Sequence, residues 1–405
     1  MNAVCLVIDR LHAGHIGAYG NSWIETPQLD RLAGQSFVFD QVLIDSPELE
    51  TLYRSYWSGW HAMCPGEPPE ERPALCEMLR ASGVNSALLT DEPLVARHRL
   101  AVHFDELIEI DPPWEPQGAD AVEHTHLAKC FAQAIDWMES AEQPFLLWCH
   151  LAGLGATWDA PLEFRRSYWE QGDPRPPDSA AVPDLLLPED HDPDLLLGIV
   201  QSYAGQVSLF DTCLGAMLEL LDDGPLGRQT LLTVTSSRGF PLGEHRRVGP
   251  CDEALYGELV HVPWMTKFPD GRAAAARSQN LLEPADLWAT LLDYWTVAEV
   301  PPSATAASVM PIAAGRIAAV RDRLCLPGDG SVRAIRTPAW YLYNTAEPQL
   351  FAKPDDRWEV NDVANRCHEV VECLQDAIAQ YEQTLHAGRI ADLPPLGEVL
   401  LTGLE

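Results

Sequence analysis

An α/β protein, its sheet covered by helices on both sides, is the fold class this sequence predicts, with a small α+β segment at the C-terminus. Two observations carry the first part. Several short apolar runs stop abruptly at polar residues, and amphipathic helical stretches lie between them. Runs that are continuous rather than alternating are what strands buried on both faces show. The third observation is a change of texture near residue 301, where a Pro-, Ala- and Ser-rich stretch gives way to short strand-like segments and one helix.

In chain order, the first run covers 4–8 and ends at Asp9. The next, 86–89, ends at Thr90-Asp91; 145–149 ends at His150, and 231–234 at Thr235-Ser236. Residues 172–193 are rich in Pro and acidic side chains and read as a long surface excursion. Within it Glu189-Asp190-His191-Asp192 supplies a solvated loop and a helix cap. The clearest helix follows, with Asp192 suited to the N-cap, Pro193 to the first helical position, and Val207, Phe210, Leu214, Met217, Leu218 and Leu221 on one face. A helix over 286–295 precedes the stretch 301–314, which sets the expected boundary between a domain of 1–312 and a subdomain of 313–405. Beyond it 332–336, 339–343 and 350–352 read as antiparallel strands, and about 369–385 as a helix. In such sheets ligands collect at the carboxyl ends of the strands. Asp9, Asp91, His150 and Ser236 are therefore expected to gather in one crevice.

With 405 residues and 46% hydrophobic side chains, the chain has ample material for a core. Its net charge of −33 disfavours nucleic acid and anionic membrane surfaces as partners. No run of about 18 apolar residues is present, and with an opening strand expected from residue 4 no export signal is expected. A cytoplasmic protein is expected. The ten Cys include no Cys-x-x-Cys pair, which reads as reduced, mostly buried thiols. His124-Thr125-His126 has a spacing compatible with a metal pair, but with no third ligand in view it reads as exposed polarity at a helix start.

Several phrases carry a family likeness. Residues 3–21 run from a buried strand through Asp9-Arg10 to His15-Ile16-Gly17-Ala18-Tyr19-Gly20-Asn21, and Thr26-Pro27-Gln28-Leu29-Asp30-Arg31-Leu32-Ala33 follows. Ser46 to Gly59 contains Glu50-Thr51-Leu52-Tyr53-Arg54, Thr235-Ser236-Ser237-Arg238-Gly239 precedes Leu242-Gly243-Glu244-His245, and Asp286-Leu287-Trp288-Ala289-Thr290-Leu291-Leu292-Asp293 comes later. In this order the phrases resemble the sulfatase family, across essentially the whole chain. The resemblance implies the alkaline-phosphatase-like fold: a mixed, mostly parallel sheet with helices on both faces and a small C-terminal antiparallel sheet.

The same resemblance exposes what is missing. Glu50 stands where the family has the Cys or Ser that becomes formylglycine, so no formylglycine is expected. The four family metal positions correspond to Asp9, Arg10, Ser237 and Arg238. Only one carboxylate survives there, while calcium wants about six to eight oxygens and is repelled by guanidinium. No divalent metal and no other cofactor is expected. Gly155 occupies a family His position, Leu94 another, and Gly249 or Pro250 a family Lys position. Loss of this many groups that act as a unit is expected to abolish the reaction. Arg10 and Arg238 are expected to replace the ion by pairing with Asp9 and Glu50.

The remaining site of Asp9, Arg10, Glu50, Thr51, Arg54, Ser237, Arg238 and His245 thus reads as vestigial. Arg54, expected near a helix start, reads as a structural ion pair, and His245 as a hydrogen-bonded loop histidine. Thr51 would serve as a nucleophile only after a one-residue slip and has no means of activation. The expected function is a non-catalytic one, binding a small anion or a protein partner. The alternatives are an active sulfate or phosphate ester hydrolase with a rearranged site around Glu50, Thr51, Arg54 and His245, or a purely structural subunit.

Overall fold

A computed structural model of the chain describes residues 1–405 except 70–71, 113–116, 251–253, 304 and 404–405. Its strands, in chain order, are β1 Asn2–Ile8, β2 Phe37–Val42, β3 Asn85–Thr90, β4 Glu106–Glu109, β5 Phe145–Leu151, β6 Leu185–Leu186, β7 Thr230–Ser236, β8 Arg247–Val248, β9 Trp264–Lys267, β10 Ala276–Leu282, β11 Leu324–Pro327, β12 Arg333–Arg336, β13 Trp340–Asn344 and β14 Gln349–Ala352. Eight of them form one sheet in the order β10-β2-β9-β7-β1-β5-β3-β4, β11 to β14 form a separate sheet, and β6 pairs with β8. The run β7-β1-β5-β3-β4 is parallel, whereas β9 is antiparallel to both β7 and β2. The large sheet is therefore mixed and mostly parallel, as the resemblance implies.

The chain divides into two compact units, one of Met1–Asp40, Gly83–Cys251 and Val262–Ser278, the other of Gln41–Ser82, Asp252–His261 and Gln279–Glu405. In the first unit every residue of β1, β5 and β7 is buried, which is why their apolar runs are unbroken. Val4, Leu6 and Ile8 of β1 join one core with Leu147, Cys149 and Val234 and with the buried face of the Pro193–Asp223 helix. That helix begins as its sequence requires. Asp192 is extended and its carboxylate accepts from the Asp194 N–H at 3.0 Å, with Pro193 next. Val207, Phe210, Leu214, Met217, Leu218 and Leu221 are all buried.

In the second unit, β11 to β14 are antiparallel neighbours. Their core-facing Cys325, Ile335, Leu342 and Leu350 pack with Val371, Leu374, Ile378 and Tyr381 of the His368–His386 helix. Strand β11 has no counterpart among the expected strands; it is four residues long and its apolar content is interrupted by Arg323 on one side and Pro327 on the other.

Candidate functional site

The parallel register brings the strand ends of the first unit to one edge. Ile8 is paired with Leu151 and Ser236, and Thr90 with His150. Asp9, Asp91, His150 and Ser236–Arg238 thus follow one another along the carboxyl edge of the sheet, where ligands collect in such folds. Asp9, 3% exposed, is held from below: its N–H donates to the Leu151 carbonyl at 2.8 Å. Ser236 Oγ lies 2.6 Å from the carbonyl oxygens of both Ile8 and Arg238 and accepts from the Leu11 N–H at 3.2 Å, which ties the end of β7 to the end of β1.

The Asp9 carboxylate is fully engaged. Oδ1 accepts from Ser237 Oγ at 2.6 Å and from Arg238 Nε at 3.0 Å, while Oδ2 accepts from Arg238 Nη2 at 2.6 Å. Arg10 Nε lies 3.8 Å from Oδ2. Burial alone would push this carboxyl up, but the Arg238 guanidinium, with Arg10 beside it, outweighs burial and holds Asp9 well below the usual carboxylate range. The Asp9 half of the expected ion pairing with Arg10 and Arg238 is therefore present.

Arg10 reaches this place by an unusual backbone. Its φ is 65°, a left-handed conformation that costs a non-glycine residue free energy and persists where the surroundings hold it. Its carbonyl accepts from the Tyr203 hydroxyl at 2.8 Å, and the same hydroxyl accepts from the His12 N–H at 3.2 Å. Gly155 supplies the room. A Cβ at that position would sit 2.8 Å from Arg10 Cγ and 3.3 Å from Asp9 Oδ2. A side chain at 155 and an arginine at 10 in this pose exclude one another, so the two positions are sterically coupled.

His150, wholly buried at the end of β5, is pushed down to about 4 by burial, with Arg238 in the same direction and Asp9 and Asp91 opposing. At neutral pH it carries no charge. Beside it, Asp91 Oδ1 accepts from the Ala152 N–H at 2.6 Å and Oδ2 lies 2.7 Å from His126 Nε2. Cys130 Sγ is 3.6 Å from that same nitrogen. The expectation of exposed polarity at 124–126 thus needs correction for one residue. His124 is exposed and 2.5 Å from Asp120, but His126 is buried with Asp91 and Cys130 around it. The His126-x-x-x-Cys130 spacing, one turn apart on one helix face, was a signal that residue-by-residue reading passed over; Asp91 could join it only through the fold.

The stretch with Glu50, Thr51 and Arg54 belongs to the second unit and forms the helix Leu49–Ser58, ended by Gly59 at φ 62°. Glu50 is exposed in its first turn. Thr51 Oγ1 donates to Glu48 Oε2 at 3.3 Å. Arg54 lies past the middle of the helix rather than at its start. It donates to the carbonyls of Gly66 at 3.3 Å and Ala62 at 3.4 Å, and lies 3.6 Å from the exposed Glu67. Arg54 therefore fastens the following loop to the helix. His245 sits half-buried in the turn before β8, next to Glu244, whose carboxylate accepts from the Leu242 N–H at 2.6 Å.

The second unit also holds a buried charge cluster that sequence reading did not single out. Arg321 meets Asp286 through two 2.6 Å contacts and lies 4.0 Å from Glu283, which in turn is 3.5 Å from His61. Asp45 accepts from Ser55 at 2.5 Å and from the Ala62 N–H at 2.9 Å. These partners come from segments far apart in the chain.

Residues 1–297 match the family model described as sulfatase. The chain belongs to the sulfatase family. Human iduronate 2-sulfatase is 23% identical to this sulfatase-family chain over 349 residues, 70% of this chain and 62% of the human protein. The chain thus spans less than two thirds of the length of that curated relative. Phosphonate monoester hydrolase of Agrobacterium radiobacter superposes with a TM-score of 0.75 at 16% identity, covering 96% of each chain. A protein solved in complex with its substrate D-glucosamine-2-N,6-O-disulfate superposes with a TM-score of 0.77 at 16% identity, covering 97% of this chain and 99% of that one. At such identities the superpositions establish the alkaline-phosphatase-like fold.

Proposed function

We propose that this sulfatase-family protein has lost metal-dependent ester hydrolysis and acts without catalysis, binding a small anion or a protein partner. The observation that carries the reading is the two-point seat of Arg238 on both oxygens of Asp9. A divalent cation held there would need those oxygens and further anionic ligands, and would lie against a fixed guanidinium. The residues at this centre therefore do not fit calcium. Glu50, a carboxylate in an exposed helical turn, has no means of acting as a hydrated aldehyde does. Gly155 adds support, because it leaves space for Arg10 and removes a donor in the same substitution. The net charge of −33 turns polyanionic partners away.

A cytoplasmic location is part of the proposal. None of the nine described cysteines forms a disulfide and seven of them are buried, in keeping with a reducing compartment; Cys251 lies outside the described residues. Among the described residues no helix is long and apolar enough to cross a membrane.

The test is turnover of an aryl sulfate, an aryl phosphate and a phosphonate monoester by the purified chain with excess calcium, magnesium or manganese. No hydrolysis above the buffer rate is the expected result. Calcium-dependent turnover that disappears in Asp9→Asn would overturn the proposal and establish the hydrolase reading.

A further inference from the structure

We propose that Asp91, His126 and Cys130 form a binding site for a soft divalent cation of the zinc or cobalt class, distinct from the Asp9 centre. One carboxylate oxygen, one imidazole nitrogen and one sulfur come within 4.8 Å of one another here, and all three residues are buried. Asp91 is delivered by the end of β3; His126 and Cys130 lie one turn apart on the His126–Ser140 helix.

Both the carboxylate, at 2.7 Å, and the sulfur, at 3.6 Å, face the same ring nitrogen, Nε2. A nucleophilic Cys-His-Asp relay would place sulfur and carboxylate on opposite nitrogens of the ring. Here both instead neighbour the same nitrogen, and the three ligand atoms lie within 4.8 Å of one another. Around tetrahedral zinc, with bonds of about 2.0–2.3 Å, neighbouring N and O donors lie about 3.3 Å apart and N and S donors about 3.6 Å apart. The N to S separation already has that value, and the N to O separation needs to open by about 0.6 Å.

The donors are also held from behind. Ala152 N–H binds Asp91 Oδ1 at 2.6 Å, and the His126 N–H binds Asp159 Oδ2 at 2.6 Å. Thr125 caps the helix by accepting from the Ala128 N–H at 3.2 Å. The Ala152 contact orients the Asp91 carboxylate itself, as supporting contacts to metal ligands do, while the two main-chain contacts fix the start of the helix that carries His126 and Cys130. The ligand set brings a carboxylate, a neutral imidazole and a thiolate, so an M²⁺ ion would be neutralised, and tetrahedral coordination leaves one position for an exogenous ligand. Burial pushes the Cys130 thiol up, so loading the site releases its proton to solvent. Asp9 lies two strands away across β5, about 10 Å at the usual strand spacing.

The experiment is titration of the chelator-stripped full chain with cobalt(II), followed by displacement with zinc. One equivalent of cobalt giving tetrahedral d–d bands and a thiolate-to-cobalt charge-transfer band is expected. Cys130→Ser should remove the charge-transfer band, and Asp91→Asn should weaken zinc retention by about 100-fold or more. Asp9→Asn should leave the cobalt spectrum in place, which separates this site from the family centre. Circular dichroism identifies variants that fail to fold. Absence of the charge-transfer band in the wild-type chain, or its persistence in folded Cys130→Ser, overturns the proposal.

Discussion

Replacing Arg238 with glutamine removes the two-point partner of a carboxylate that is 3% exposed. Each charge-assisted hydrogen bond contributes about 1.5–3 kcal/mol, and removing one member of a buried pair costs about 3–5 kcal/mol because a buried charge is left behind. Two contacts persist in the variant, from Ser237 Oγ at 2.6 Å and Arg10 Nε at 3.8 Å. The Arg10 attraction is about 4 kcal/mol at an effective dielectric constant of 20, so the expected loss lies at the lower end, about 3 kcal/mol at pH 7. The pH dependence follows from the depressed Asp9 pKa. Its stabilising contribution is fully present above the unfolded value near 4 and is lost as pH falls through the lower folded value. Urea unfolding of wild type and Arg238→Gln from pH 7 downwards should therefore show a gap that narrows below about pH 4. A gap below about 1 kcal/mol at pH 7, the range of exposed ion pairs, would refute the argument that Arg238 neutralises a buried Asp9. So would a gap that does not change in acid.

Two further perturbations test the same physical picture. Gly155→Ala should cost about 1–3 kcal/mol through its contact with Arg10 Cγ, and most of that cost should vanish in an Arg10→Gly background; a double-mutant cycle in urea reads the coupling, and additive effects would refute it. Asp211 accepts from the Gln28 and Leu29 N–H groups at 3.1 and 2.8 Å, and burial pushes it up to about 6. A folded pKa raised above the unfolded one means that its contribution falls as pH rises from about 4 through 6, by roughly 2–3 kcal/mol. The stability profile of Asp211→Asn should lack that fall, and an identical slope in wild type and variant would refute the assignment.

Much of this was legible in advance because continuous burial leaves a mark on composition. Strands β1, β3, β5 and β7 were visible as apolar runs, and polar residues closed each run at the carboxyl edge of the sheet. Arg54 was harder. The sequence favoured a structural ion pair, but its carbonyl partners at 62 and 66 depend on how the loop after Gly59 returns along the helix. The cluster around Arg321 was not legible, since its members at 45, 61, 283, 286 and 321 have no common spacing.

Residue order alone was enough for the family, the α/β architecture and the antiparallel C-terminal segment, because each depends on residue type at a position within a short phrase. Which charges neutralise one another depends on distances of a few ångströms between segments hundreds of residues apart. The pairing of Arg238 with Asp9 was expected from the resemblance, but that Arg238 reaches both carboxylate oxygens, that Gly155 yields its space to Arg10, and that Asp91 meets His126 and Cys130 were decided by the parallel register of the sheet and by the helix packed against it.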